Sequence, residues 1–330
     1  MKNSKLQIKT KNGSYLIIIG SNLVGNFKKI LKKNSINSSK FLVIIDSKVP
    51  KKYSSLIVKD LNIKNKVIKF LSNEKNKNQK NVQKILDILL KENFNRNDCV
   101  ISVGGGILGD LAAFASSIFK RGIIFVNVPT TLLSQVDSSI GGKTGINTRF
   151  GKNLIGSFYQ PRLVLSDTNF LKSLPKREII CGYAEIFKHS LISNKKFYKY
   201  LSKNVSKILS LKKPYIQKSI YESCVIKKNI VEKDEKEQNL RKLLNLGHTF
   251  AHSYEATLGY SKKLNHGEAV LLGIKSACLF SLEEKILNKK ECELILEHIN
   301  NINNSLKLKS FFKKKDINKI IKFMISDKKN

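Results

Sequence analysis

The stretch Cys99–Asp110, CVISVGGGILGD, decides the fold of the first half of the chain. Its β-branched and apolar residues predict a strand over Cys99–Val103 that runs directly into a glycine-rich turn. The apolar run Leu111–Phe119 follows and predicts a helix. This arrangement suits a pyrophosphate, because glycines let the backbone approach it and a helix N-terminus offers free N–H groups. The pattern departs from a strict GxGxxG, and a tight turn without a ligand is the alternative interpretation.

Short β-branched runs lie on both sides of this stretch, and helical patterns separate several of them. Strands that alternate with helices predict an α/β layer with a mostly parallel sheet. The strand signal fades after Leu174, so we predict an α/β domain over residues 1–174 and an all-α domain over residues 175–330. The predicted strands are Tyr15–Ile19, Phe41–Ile45, Val67–Phe70, Cys99–Val103 and Ile123–Val128, and the predicted helices of the second half include Lys196–Leu211, Ile216–Val231 and Ala269–Leu287.

The chain of 330 residues carries 61 Lys and Arg against 25 Asp and Glu, a formal charge of +36. Such an excess first suggests a nucleic acid or an anionic membrane as partner. However, the basic residues are mostly Lys in company with many Asn and Ile, which is the bias of an AT-rich genome. Only 6 of the 61 lie in residues 99–165, the stretch with the densest motifs. We therefore predict no specific nucleic-acid binding.

The remaining composition predicts a soluble cytoplasmic protein without a membrane span. The five Cys are scattered and form no CxxC pair, which is typical of reduced thiols. The first fifteen residues contain no apolar core and do not resemble a secretory signal. The longest apolar stretch, Ala269–Leu282, is short and contains Lys275, so it does not predict a membrane span.

A second group of candidate residues lies in the segments Val128–Thr144 and Gly151–Gly156. Small residues and glycines cluster there with Asp137, Lys143 and Lys152, in what we predict to be a loop between apolar strands. Two lysines in such a setting suit an anionic ligand, either a phosphate or a carboxylate. The alternative is that they are two surface lysines of a lysine-rich protein.

Three of the five histidines lie within 19 residues and form the third group. His248 and His252 are four residues apart and would share a helix face, which Asn245 and Arg241 would extend if the helix reaches that far back. His266 precedes the next apolar helix.

Glu185 and Lys188 lie three residues apart, on one face of another predicted helix. Two imidazoles and a carboxylate are a Zn²⁺ ligand set with an open position. Spacing alone does not say which histidines bind, and ordinary buried or surface histidines remain the alternative. His298 lies among leucines and glutamates and is interpreted as structural.

Taken together, these motifs resemble the 3-dehydroquinate synthase family. Six stretches occur in the family order over nearly the whole chain: GGGILGDLAAF, RGIIFVNVPTTLLSQVDSSIGGKTGIN, GKNLIGSFYQP, GYAEIFKHSLI, LNLGHTFAHSYEA and HGEAV. The resemblance implies a Rossmann-like NAD-binding α/β domain followed by an all-α metal-binding domain, with the active site in the cleft between them. It also implies a homodimer, with Arg121 reaching into the neighbouring subunit.

The resemblance further implies roles for individual residues. Glu185, His248 and His266 correspond to the ligands of one divalent metal, Zn²⁺ or Co²⁺, and His252 to a residue that contacts substrate and transfers a proton. The implied substrate and catalytic residues are Arg121, Asp137, Lys143, Lys152, Asn153, Lys188, Lys227, Arg241, Asn245 and His252. The implied NAD residues are Asp46, Ser72, Asn73, Glu74, Lys75, Asn76, Lys77, Gly105, Gly106, Ile107, Leu108, Gly109, Asp110, Thr130, Thr131, Lys143, Lys152, Phe170, Leu171, Lys172 and Ser173.

The reaction implied is that of a carbon–oxygen lyase. It converts the sugar phosphate 3-deoxy-D-arabino-heptulosonate 7-phosphate into 3-dehydroquinate and phosphate, in the shikimate pathway of aromatic amino acid biosynthesis. Transient oxidation by NAD, phosphate elimination, re-reduction and an intramolecular aldol closure follow one another. The alternatives are other sugar phosphate cyclases, metal-dependent dehydrogenases that release NADH, and a decayed basic binding protein.

Two departures from the family pattern remain. Ala251 stands where the family commonly has Gly, beside His252. The sequence stops at Asp327-Lys328-Lys329-Asn330, where the resemblance implies that one lysine of the pair contacts substrate. We expect a weaker hold on phosphate than in a longer relative.

Overall fold

A computed structural model describes residues 3–11, 13–62, 66–193 and 195–326. The chain forms two compact units. The first comprises Met1–Pro175 together with Val231–Lys236, and the second comprises Lys176–Ile230 and Glu237–Asn330.

The first unit is built on a seven-stranded sheet with the order β1-β2-β9-β6-β5-β3-β4. All neighbouring strands are parallel except β1, which pairs antiparallel with β2. Strands β7 and β8 form a separate antiparallel hairpin. The strands are β1 Ser4–Thr10, β2 Gly13–Gly20, β3 Phe41–Asp46, β4 Val67–Phe70, β5 Cys99–Gly104, β6 Ile124–Pro129, β7 Lys143–Thr148, β8 Gly151–Phe158 and β9 Leu163–Asp167.

Helices cover both faces of this sheet. Successive side chains of a central strand accordingly pack into two different apolar clusters. Val43 and Ile45 of β3 pack into one apolar cluster, with Phe27 and Ile57 from the helices on that side. Residues 42 and 44 of the same strand point into the opposite cluster, because successive side chains of a strand face opposite sides. The helices are α1 Phe27–Lys33, α2 Lys51–Leu61, α3 Gln79–Lys91 and α4 Gly106–Ile118.

The α/β prediction for the first half is confirmed, and the predicted strands lie where the sheet has them, within a few residues at each end. Four strands were missed: β1, β7, β8 and β9. Among these, β8 is largely exposed, β1 buries only Leu6 and Ile8, and β7 and β8 are rich in Gly, Thr and Asn. Their signal is weak because β-propensity reflects packing that only the fold provides.

In the second unit the described residues form helices and no strand, which confirms the all-α prediction. These helices are α5 Lys176–Ser193, α6 Lys195–Leu209, α7 Tyr215–Lys233, α8 His248–Thr257, α9 His266–Glu283, α10 Lys289–Ile302 and α11 Ile317–Ile325. Across the described parts of the chain, none of the helices combines the length and the apolar character that crossing a membrane requires.

Candidate active site

The glycine-rich turn joins the carboxyl end of β5 to the start of α4, as the sequence predicts. A Cβ on Gly104 would lie 2.8 Å from Leu108 Cδ2, and one on Gly106 would lie 2.7 Å from Ser138 Oγ. Larger residues therefore do not fit, and the backbone itself forms the surface of the turn. The first N–H groups of α4 have no acceptor within the helix, which makes this end suited to a phosphate.

Asp46 lies beside this turn, at the carboxyl end of β3. The sheet order places β4 on one side of β3 and β5 on the other, so the chain reverses its direction of growth between these strands. In open parallel sheets such a switch point opens a crevice for a nucleotide. Asp46 is buried, with its carboxylate accepting the Lys48 N–H at 3.0 Å.

A network of charged side chains extends from the turn. Lys77 is almost fully buried and forms an ion pair with Asp110 at 2.5 Å, and it also donates to Asn153. Burial raises the pKa of Asp110, and the Lys77 ammonium opposes this rise. Glu74 Oε1 pairs with Lys152 Nζ at 3.2 Å. The structure thus brings together candidates from three separate parts of the sequence.

The remaining NAD candidates of residues 72–76 form a short turn at the same end of the sheet. A 3₁₀ turn spans Glu74–Asn76, and the side chain of Asn73 accepts the Asn76 N–H at 2.9 Å. Ser72 is buried, and Lys75 is exposed.

Thr130 and Thr131 follow the carboxyl end of β6, next to the glycine-rich turn. The Thr130 N–H donates to Gly104 O at 2.9 Å. Asp137 lies in a π-helical turn over Ser134–Ser138, a feature often found at functional sites.

Three NAD candidates have their side chains in the core. Leu108, Phe170 and Leu171 are buried, and Phe170 packs on Tyr53 with ring centroids 4.8 Å apart. Any contact of these residues with a ligand is therefore a backbone contact. Lys172 and Ser173 are exposed, and Ile107 is half-buried.

The prediction that Lys143 and Lys152 lie in a loop is wrong. Lys143 begins β7 and Lys152 lies in β8, so both belong to the hairpin. Gly145 and Gly156 oppose each other there, and a Cβ on Gly156 would lie 2.0 Å from Thr144 O. The glycines that suggested a loop instead allow two strands to approach closely.

In the second unit, Glu185, His248 and His266 form a compact group. One ligand atom from each lies within 4.8 Å of the others. Glu185 Oε1 is 3.6 Å from His248 Nε2 and 3.7 Å from His266 Nε2. Tetrahedral ligands at Zn–ligand distances of about 2.1 Å are about 3.4 Å apart, so small movements would close this set around a cation.

The carboxylate at the centre of this group is prepared for a cation. Glu185 is fully buried, and its Oε2 forms an ion pair with Lys188, three residues along α5. Its Oε1 accepts no hydrogen bond within the described part of the chain. A buried carboxylate oxygen in that state costs free energy unless a cation or a donor is supplied.

The rings of His248 and His266 are also oriented to bind a cation. His248 Nδ1 lies 3.2 Å from Leu246 O, and His266 Nδ1 lies 3.2 Å from Glu255 Oε2. Both acceptors place the proton on Nδ1, which leaves the Nε2 lone pairs facing Glu185. Burial lowers the pKa of His266, but Glu255 and Glu185 outweigh it and the net shift is upward. Sequence reasoning did not single out Glu255.

The predicted helical stripe of Arg241, Asn245, His248 and His252 is broken. Residues 240–245 form a 3₁₀ turn, and α8 begins only at His248, because Gly247 adopts φ +76°. His248 and His252 still share a face, with ring centroids 5.3 Å apart.

Asn245 lies at the end of the 3₁₀ turn and not on the predicted helix. Its Nδ2 donates to Glu237 Oε1 at 3.2 Å, and Glu237 is a residue that sequence reasoning missed. No motif or spacing in the sequence points to this carboxylate, which is eight positions away.

The other substrate candidates differ in burial. Lys188, Lys227 and Arg241 are nearly fully buried, which is unusual for cations. Arg121 is exposed and follows α4, with φ +63°. Lys328 and Lys329 lie outside the described residues.

The sequence is similar to those of known proteins. Family models described as 3-dehydroquinate synthase N-terminal and C-terminal match residues 67–181 and 182–330. The chain is 59% identical to the 3-dehydroquinate synthase of Pelagibacter ubique (strain HTCC1062), over 99% of this chain and 89% of that protein. It is 42% identical to the 3-dehydroquinate synthase of Bartonella quintana (strain Toulouse), over 91% of this chain and 81% of that protein.

Solved structures share the fold. A 2-deoxy-scyllo-inosose synthase complexed with carbaglucose-6-phosphate, NAD⁺ and Co²⁺ superposes with a TM-score of 0.89 at 23% identity, covering 99% of this chain and 88% of that one. A 2-epi-5-epi-valiolone synthase from Streptomyces hygroscopicus with NAD⁺ and Zn²⁺ bound gives 0.83 at 23% identity, covering 96% and 87%. The fold is therefore that of the dehydroquinate synthase-like sugar phosphate cyclases.

Within that class the sequence comparisons are specific. The chain belongs to the 3-dehydroquinate synthase family.

Proposed function

We propose that this chain converts 3-deoxy-D-arabino-heptulosonate 7-phosphate into 3-dehydroquinate and phosphate, with NAD and one divalent metal as resident cofactors. The observation that carries the proposal is the 59% identity to a 3-dehydroquinate synthase over nearly the whole chain. The group of Glu185, His248 and His266 and the glycine-rich turn supply the chemistry that this reaction needs.

The metal would be held by Glu185, His248 and His266. Two imidazoles and one carboxylate, without a thiolate, suit Zn²⁺ or Co²⁺, the ions named for two proteins of the same fold. A divalent cation there supplies a Lewis acid that lowers the pKa of a bound hydroxyl and aligns it. Lys188 balances the negative charge of Glu185 on the side away from the imidazoles.

NAD would lie against the carboxyl ends of β3 and β5. The N–H groups at the start of α4 would receive the pyrophosphate, and Asp46 would accept from a ribose hydroxyl. When bound, NAD would supply the hydride acceptor that a transient oxidation needs. Glu74, Lys77, Asp110 and Lys152 would fix the adjoining parts of the nucleotide through the network described above.

The anionic substrate would be held by cations that the fold keeps away from water. Lys188, Lys227 and Arg241 are positioned by helices and a 3₁₀ turn of the second unit. Electrostatic attraction is strongest where the dielectric is low, so buried cations hold phosphate and carboxylate groups effectively. His252, beside His248, would contact substrate and move a proton. Asp137, Asn153 and Asn245 would donate or accept the remaining hydrogen bonds.

A homodimer is part of the proposal. Four large apolar residues at the β7–β8 hairpin, Phe150, Leu154, Ile155 and Phe158, are 41–78% exposed. Apolar side chains grouped in this way mark an interaction surface. Arg121 is exposed in the same unit and would reach the neighbouring subunit. A cytoplasmic location fits the five Cys, which are all buried and form no disulfide.

One assay tests the function. Phosphate release from the heptulosonate phosphate is followed with and without NAD⁺ and a chelator, using the wild type and His248→Ala. We expect release that needs both cofactors, no accumulation of NADH, and loss of both bound metal and activity in the variant. Stoichiometric NADH would indicate a dehydrogenase instead. Full metal occupancy in His248→Ala, measured by elemental analysis, would refute the ligand assignment.

A further inference from the structure

We propose that Glu255 is a positioning residue for the metal ligand His266, and that it sets the metal affinity by fixing the tautomer and orientation of that imidazole. The inference rests on the proposed metal site and deepens it. Glu255 does not belong to the ligand set itself, and none of the motifs above gives it a role.

The contact is a hydrogen bond to the nitrogen that does not face the ligand group. His266 Nδ1 lies 3.2 Å from Glu255 Oε2, whereas His266 Nε2 lies 3.7 Å from Glu185 Oε1. An ionised carboxylate only accepts hydrogen bonds, so the proton lies on Nδ1 and the lone pair on Nε2. Because the side chain of Glu255 is only 11% exposed, water competes poorly for this bond.

The two histidines of the group differ in the atom that their Nδ1 faces. His248 Nδ1 faces a neutral backbone carbonyl, that of Leu246, at 3.2 Å. The bond from His266 to Glu255 brings a formal negative charge to the far side of the His266 ring, and a carboxylate there strengthens the imidazole as a ligand. His266 is also the more exposed of the two, with 33% of its side chain accessible against 8% for His248. It therefore depends more on an external partner to hold its orientation.

Glu255 reaches His266 from another helix. It lies on α8, seven residues after His248 and three after His252, so these three side chains project from one face. His266 is the first residue of α9. The two helices touch without intervening side chains, since a Cβ on Gly273 would lie 2.1 Å from Gly247 O. This close approach of the two helices sets the distance between Glu255 on α8 and His266 on α9.

The start of α9 has a separate anchor, so Glu255 is not needed to hold the backbone. Glu268 closes a capping box with Asn265 and pairs with Arg177. Gly267 packs on α5, and its N–H donates to Cys181 Sγ at 3.2 Å. With the backbone held in this way, the Glu255 contact acts on the ring of His266.

The test measures zinc affinity directly. The full chain without NAD is titrated with Zn²⁺ against a chromophoric chelator, as wild type, Glu255→Ala, Glu255→Gln and Glu293→Gln. Glu293 is the matched control: it carries the same charge in the same unit, pairs with Lys289, and is 64% exposed. We expect Glu255→Ala to bind Zn²⁺ with a Kd that is 10- to 100-fold higher than that of the wild type. Glu255→Gln should lose less, because its amide oxygen still accepts from Nδ1–H, and the control should match the wild type.

A second readout separates positioning from folding. ¹⁵N NMR of the zinc-loaded wild type should show His266 protonated at Nδ1, and the metal-free melting temperatures of the variants should stay close to that of the wild type. If Glu255→Ala does not fold, the isosteric Glu255→Gln decides: a severalfold loss of zinc affinity supports the inference, and unchanged affinity overturns it.

The outcomes also separate this inference from the proposed metal site. Equal zinc affinity in the wild type and Glu255→Ala overturns the role of Glu255 alone. An equal loss in Glu293→Gln would show that only net charge matters, and it overturns the role as well. A wild type that binds no zinc overturns the proposed metal site, and the inference falls with it.

Discussion

His298, which lies outside the candidate site, should contribute to the pH dependence of the protein's stability. His298 of α10 is 2% exposed and stacks on Phe187 with ring centroids 4.4 Å apart. Its ring nitrogens lie 3.0 Å from the hydroxyls of Tyr183 and Ser202. Burial lowers the pKa of His298 from 6.5 to about 4. The folded protein therefore holds this imidazole neutral at a pH at which the unfolded chain is already protonated.

The contribution of His298 to the free energy of unfolding depends on pH because its pKa differs between the folded and unfolded states. Between about pH 6.5 and pH 4 the unfolded chain binds more protons, so the contribution of His298 is complete above pH 6.5 and is lost as the pH falls towards 4. One pKa unit corresponds to about 1.4 kcal/mol, so the full loss is roughly 3 kcal/mol. At pH 5 about 2 kcal/mol of it should already be gone.

The assay compares the wild type with His298→Gln, which stays neutral at every pH. The free energy of unfolding in urea is measured at pH 7.5 and pH 5.0, with chelator present so that metal binding does not contribute. Between these two values the wild type should lose about 2 kcal/mol more than the variant. Other titrating groups are common to both proteins and cancel in the difference. Equal losses in the two proteins would refute the reasoning.

Three further predictions concern the site and the charge. Lys152→Met should cut turnover strongly and leave the melting temperature nearly unchanged, because the half-exposed pair with Glu74 contributes at most about 1 kcal/mol; a large loss of stability with normal activity would favour a structural role. Gly267→Ala should lower the free energy of unfolding by about 2 kcal/mol or more and weaken zinc binding, because its Cβ would lie 2.2 Å from Cys181 Cα. Gly25→Ala is its control, with nothing within 4 Å of the added Cβ, and an equal effect there would contradict the argument. Binding to DNA or RNA should fall steeply with salt, as expected for a +36 charge without a specific site; tight, sequence-selective binding at physiological salt would overturn this prediction.

Much of the fold could be predicted from the sequence because its signals are local. The strand Cys99–Val103, the glycines after it and the apolar helix that follows are contiguous, so their periodicity and turn chemistry are read directly. The fading of strand patterns after Leu174 predicted a helical second half for the same reason. The hairpin of β7 and β8 was not predicted, because glycines in a sequence indicate a turn. Only in the folded protein do they allow two strands to pair closely.

The sequence by itself determined which residue types were available for chemistry: the glycine-rich turn, the lysines, and a set of histidines beside a glutamate. Only the tertiary structure decided how they meet. The α8 helix begins at His248 because Gly247 adopts a left-handed conformation, which detaches Asn245 and Arg241 from the predicted stripe. Glu255 reaches the ring of His266 across a helix contact of two glycines. Such contacts depend on packing between segments that are distant along the chain, and no local periodicity encodes them.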